Sequence, residues 1–144
     1  MAESALPPGT PHPELDGLIA VLERLRAPGG CAWDREQTHA SLVQYLVEES
    51  AELVDAIENG GRTELVEELG DVLYQVIFHA DIAAEAGDFT LEDVAAHMTA
   101  KMVGRHPHVF GDAVADTAEA VAVNWELIKA TEKPERSSVL DGIS

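Results

Sequence analysis

Between Glu48 and Asp71 the chain carries nine acidic side chains and a single base, Arg62. Glu49 and Glu52 are three residues apart, and Glu68 and Asp71 repeat the spacing. On a helix, that spacing puts both members of a pair on one face. Each pair also interrupts an apolar stripe. The first reads Leu42, Tyr45, Glu49, Glu52, Ala56, and the second reads Leu65, Glu68, Val72, Val76, Ala83. Carboxylates in such a seam are costly unless something neutralises them. No neighbouring base can do so, and Glu48–Glu52, Glu64–Glu68 and Glu67–Asp71 add like-charge repulsion at i,i+4. Four converging carboxylates suit a hard, oxygen-preferring cation, Mg²⁺ or Mn²⁺, better than zinc. The plainer alternative is a solvated acidic face. Two three-spaced pairs on adjacent helices weigh against it.

Five helical segments can be read around this constellation. The first spans about Glu14 to Arg26 and stops before Pro28-Gly29-Gly30. Cys31 to Ala40 reads as an irregular loop. The second helix starts near Ser41, where Ser41 and Gln44 have capping-box spacing, and ends before Gly60-Gly61. The third runs from about Thr63 to Ala86 and closes at Gly87. A fourth opens at Thr90, whose hydroxyl can cap, and ends before Pro107. The last spans about Asp116 to Thr131, with Pro134 excluding its continuation. The Gly60-Gly61 connection is short enough to make helices two and three an antiparallel hairpin.

The expected fold class is therefore all-α, a helical bundle with that hairpin at its centre. Short helices leave such a hairpin poorly covered, so we expect oligomerisation to complete the bundle. Residues 1–13 read as a flexible leader, 14–136 as the helical domain, and 137–144 as a tail that continues the chain or docks on a partner. No stretch is apolar enough to span a membrane. The net charge of −18 would repel nucleic-acid polymers and anionic membrane surfaces, yet allows a small phosphate ligand bridged by metal. The single cysteine, Cys31, excludes an intramolecular disulfide and makes a cytoplasmic setting the expectation.

The order Glu48-Glu49-x-x-Glu52 then Glu68-x-x-Asp71 resembles the EExxE…ExxD signature of the all-α nucleoside triphosphate pyrophosphohydrolases. Further blocks narrow the resemblance to the MazG family. They are Gly30-Cys31-Ala32-Trp33-Asp34-Arg35-Glu36-Gln37-Thr38-His39, Glu68-Leu69-Gly70-Asp71, Arg105-His106-Pro107-His108-Val109-Phe110-Gly111, and Asn124-Trp125-Glu126-x-x-Lys129. The domain resembles most the N-terminal copy of two-copy members. The resemblance implies Mg²⁺-dependent hydrolysis of NTPs or dNTPs to a nucleoside monophosphate and pyrophosphate, a nucleotide-pool housecleaning reaction, in a dimer or dimer of dimers. It implies metal ligation by Glu49, Glu52, Glu68 and Asp71, with Mn²⁺ as a possible substitute. Glu48 becomes the candidate catalytic residue that orients the attacking water. Phosphate contacts fall to Lys101, Arg105, Trp125 and Lys129.

Each of these has an alternative. Arg105 can instead complement the dipole at a helix C-terminus, and Trp33 and Trp125 can be core anchors rather than base-stacking groups. We expect Trp33 to lie in the core. His39 and His79 fall near apolar faces as structural histidines, and His106 and His108 should cap the fourth helix and shape its loop. A di-iron bundle would need two Glu-x-x-His motifs on helices; only Glu36-x-x-His39 fits, in a loop. The competing function is a catalytically silent, metal-binding dimerisation or regulatory module.

Overall fold

A computed structural model describes residues 12–112 and 116–132 of the chain. These residues are helical, with no strand among them. The expected leader, except for its last two residues, and the expected tail lie outside them. The elements are α1 (Pro13–Arg26), α2 (Ala32–Glu36), α3 (Val43–Asn59), α4 (Arg62–Glu85), α5 (Leu91–Arg105), α6 (Pro107–Phe110) and α7 (Ala118–Glu132). The described residues divide into two compact units, one up to Val94 and one from Ala95.

In the first unit, α3 and α4 form the expected antiparallel hairpin, and α1 packs on α4. The turn between the hairpin helices is held from both sides. The Gly60 N–H donates to the Ala56 carbonyl at 2.9 Å, closing α3, and the Gly61 N–H donates to Glu64 Oε1 at 2.6 Å, opening α4. A Cβ at Gly60 would sit 2.9 Å from the Ala56 oxygen, so the turn requires glycine there. Leu22, Leu42, Ile77 and Phe78 make the buried core, with Leu18, Ile19, Tyr45, Tyr74, Ile82 and Leu91 packed around them. Burying a leucine or phenylalanine of this kind contributes about 1.5–3 kcal/mol.

Two sequence expectations need correcting. The segment Cys31 to Ala40 is not wholly irregular, because Ala32–Glu36 forms a short helix. Its polar composition hides the helix, whose stability comes from docking: the buried Arg26 guanidinium donates from Nε to the Asp34 carbonyl at 3.1 Å. Nor does Ser41 cap α3 with Gln44. The helix begins at Val43, while Thr38 and Ser41 exchange side-chain to backbone hydrogen bonds of 2.8 and 3.0 Å one turn earlier. The capping residues are present, but they organise the turn that leads into the helix.

Thr90 behaves as expected: its hydroxyl accepts from the Asp93 N–H at 3.1 Å, and Asp93 accepts from the Thr90 N–H at 2.9 Å. In the second unit, the His106 imidazole donates from Nδ1 to the Met102 carbonyl at 2.6 Å, ending α5 where Pro107 forbids its continuation. Thr117 supplies the start of α7 by accepting from the Ala120 N–H at 3.1 Å.

Candidate metal centre

The hairpin register brings the two acid pairs together. Oxygens of Glu49, Glu52, Glu68 and Asp71 can be chosen so that all lie within 4.8 Å of one another. Glu49, Glu68 and Asp71 are half-buried, while Glu52 is exposed at the edge of the seam. One oxygen of Glu49 and one of Glu68 are fully buried and have no hydrogen-bond partner. Such orphaned acceptors are normally paired or bound.

The electrostatics agree. Burial, then Asp71, then Glu52 push the Glu49 carboxyl up to about 7 from an ordinary 4.5. Burial, followed by Glu52 and Asp71, also raises Glu68. Without a counter-ion, the cluster holds protons to limit its own repulsion. A divalent cation would relieve the same strain, and an all-oxygen donor set suits a hard ion. The residues therefore fit Mg²⁺ or Mn²⁺. A hollow of 470 Å³ opens beside Glu52 and Glu68, bounded by Asp55, Asn59, Glu64 and the Gly60-Gly61 turn. Glu48 lies outside the four-carboxylate group, exposed on the neighbouring face of α3.

The basic and aromatic candidates belong to the second unit. Arg105 is buried, and its Nη2 donates to Glu132 Oε1 at 3.0 Å while its Nε is buried without a hydrogen-bond partner. Lys129 Nζ lies 4.0 Å from Glu126 Oε2. Trp125 is exposed and meets His106 edge-to-face at 5.3 Å. Lys101 is half-buried on α5.

Trp33 is not the core anchor expected of it. It is 47% exposed and rests edge-on against Tyr45 at 5.8 Å, while the next residue of α2, Asp34, is the buried one. Sequence reasoning missed the most enclosed polar group in the first unit, Arg26, which binds Asp81 and Glu85 on α4. Its position at the C-terminal end of a helix gave only a dipole signal; the partners are more than fifty residues away. His39 is exposed and His79 half-buried, and the two contact each other through Nδ1 at 2.7 Å.

An all-helical domain whose α3–α4 hairpin gathers two acid pairs into one carboxylate cluster, able to hold a metal ion, is thus defined by fold and site together. The chain belongs to the family of the MazG nucleotide pyrophosphohydrolase domain, whose family model matches residues 37–110. It is 50% identical over 121 residues to the nucleoside triphosphate pyrophosphohydrolase/pyrophosphatase MazG of Thermotoga maritima, covering 84% of this chain and 46% of that protein. It is 42% identical over 133 residues to the nucleoside triphosphate pyrophosphohydrolase of Escherichia coli K12, covering 90% of this chain and 51% of that one. The chain spans about half the length of these curated relatives. Its fold matches the crystal structure of a MazG-related protein from Thermotoga maritima with a TM-score of 0.66, at 24% identity, over 79% of this chain and 97% of that chain.

Proposed function

We propose that the protein is a Mg²⁺-dependent nucleoside triphosphate pyrophosphohydrolase that removes NTPs or dNTPs from the cytoplasmic nucleotide pool. The observation that carries this reading is the meeting of Glu49, Glu52, Glu68 and Asp71 within 4.8 Å on the hairpin of a MazG domain. Those four residues would hold Mg²⁺, or Mn²⁺ in its place. Bound there, the ion supplies charge neutralisation of the carboxylates and the triphosphate, which is most of what phosphoryl transfer asks of a protein.

The remaining work belongs to side chains. Glu48 accepts a proton from the attacking water as its oxygen bonds to phosphorus and the bridging α–β P–O bond breaks. The products are a nucleoside monophosphate and pyrophosphate. Lys101, Arg105, Trp125 and Lys129 are assigned to the triphosphate. For Arg105, the buried Nε without a partner supports that role, since one guanidinium nitrogen remains to be satisfied beside the Glu132 bond.

The active form is a homo-oligomer, a dimer or dimer of dimers. Val47, Val54 and Ile57 on α3 and Val66, Leu69 and Leu73 on α4 are exposed, a concentration of apolar surface that favours burial against a partner. Pyrophosphate release from a panel of NTPs and dNTPs, with Mg²⁺ and with chelator, tests the proposal. Release that depends on metal is the expected result. Metal binding without turnover of any nucleotide would instead make the domain a silent dimerisation or regulatory module.

A further inference from the structure

His39 lies in the connection between α2 and α3, and His79 lies on α4, forty residues away. Their Nδ1 atoms are 2.7 Å apart and their rings are parallel within 7°. The 5.0 Å between ring centroids is the length of that bond plus roughly a ring radius at each end. The rings are therefore joined end to end in one plane rather than stacked face to face, which is the favourable direction for an N–H···N hydrogen bond.

A bond between two like nitrogens holds one proton. Its position follows from the surroundings of His79, whose Nε2 is buried without a partner. A hydrogen there would be an orphaned donor, so His79 carries its proton on Nδ1 and donates to His39. His39 then keeps its own proton on Nε2, at an exposed side chain.

We propose that His39 and His79 form a proton-counting clasp that holds the α2–α3 connection against α4 while the pair shares one bridging proton, and releases it when the pair takes up a further proton. A proton on each Nδ1 would set two donors facing each other, and the only other vacancy is the buried Nε2 of His79.

The surrounding groups do not disturb this logic. On α4, the side chain one turn back from His79 is the uncharged amide of Gln75. Asp81 is two residues on, across the helix, where Arg26 holds it. Burial first and the His39 ring second hold His79 below its ordinary 6.5, with no carboxylate contributing. Because the folded value is the lower one, the stability due to this group is present above pH 6.5 and lost as pH falls through the lowered value.

The connection also has local support, in the Thr38–Ser41 exchange and the 2.7 Å bond from Ser41 Oγ to Gln37 Oε1. Opening the clasp therefore detaches an ordered turn from α4 rather than unravelling it. The clasp differs from a passive contact in being sensitive to proton number, and it stands whatever the reaction is.

Nitrogen-15 spectra of the histidine rings in the full chain test it. The expected result is a coupling across the His79–His39 hydrogen bond near neutral pH, lost on acidification as the pair takes up a further proton. His39→Phe should abolish the coupling and raise the value at which His79 titrates. Melting temperatures against pH give a second readout: a fall of wild type below pH 6.5 that is absent from the His39→Phe/His79→Phe variant. Independent titration of the two rings with no coupling would overturn the clasp, as would identical pH–stability curves. If the double variant does not fold, the titration of the wild-type rings decides alone.

Discussion

Arg26 Nη1 donates to Asp81 Oδ2 at 2.6 Å, tying the last residue of α1 to the second half of α4. The same guanidinium bonds Glu85 Oε1 at 3.0 Å and the Asp34 carbonyl at 3.1 Å, and lies 5.5 Å from the centre of the Phe78 ring. One side chain thus fixes α1, α2 and α4 about the core that supports the hairpin.

Replacing it should be costly. Arg26→Met keeps much of the apolar volume but leaves Asp81 and the Asp34 carbonyl short of a donor. Because Asp81 retains some access to water, we expect a loss of about 2–4 kcal/mol rather than the upper end for a broken buried pair. Urea denaturation measures it; a loss under about 0.5 kcal/mol would show the pair to be incidental.

Neutralising an acid at the cluster should separate stability from activity. Glu49→Gln removes repulsion along with a proposed ligand, so the metal-free protein should melt higher than wild type while pyrophosphate release disappears. Melts in chelator alongside the release assay provide the comparison. A variant that is less stable and active in proportion to its folded fraction would mark Glu49 as structural.

Metal should stabilise wild type in the same experiment. An ion that binds only the folded cluster contributes about 2.7 kcal/mol at a hundred times its dissociation constant. An unchanged midpoint with both Mg²⁺ and Mn²⁺ would indicate a solvated acidic face.

The acid cluster also predicts a pH dependence. Glu49 at about 7 binds a proton in the folded chain that the unfolded chain, at 4.5, has released. Its contribution is therefore fully present below pH 4.5 and lost as pH rises through about 7. The histidine pair acts in the opposite sense, so the difference between wild type and Glu49→Gln isolates the carboxyl. In chelator that difference should change across this window, and saturating Mg²⁺ should flatten it. Parallel curves in chelator would refute the assignment.

The exposed hairpin surface predicts association. Val66→Glu or Leu73→Glu places a charge on it and should shift the protein toward monomer, as read by light scattering. A wild-type chain that is already monomeric at micromolar concentration would remove the proposed oligomer.

By itself, the sequence determined the helical class, the hairpin and the pairing of the acids. All three follow from local rules: apolar periodicity, a short glycine turn, and three-residue spacing that fixes two carboxylates on one face. Thr90 capping and the end of α5 at Pro107 were legible for the same reason. Tertiary structure alone decided which groups meet across distance. The convergence of the two acid pairs within 4.8 Å depends on hairpin register, and the burial that lifts Glu49 depends on packing. Arg26 and Asp81, like His39 and His79, carry no sequence signal for each other, because a hydrogen bond between segments distant in sequence leaves no periodicity. Trp33 departs from the core position expected of it because a large aromatic side chain does not reveal which face of a short helix packs inward, and in α2 the buried residue is Asp34. Sequence spacing sets which side chains share a face; only the packed fold sets what that face meets.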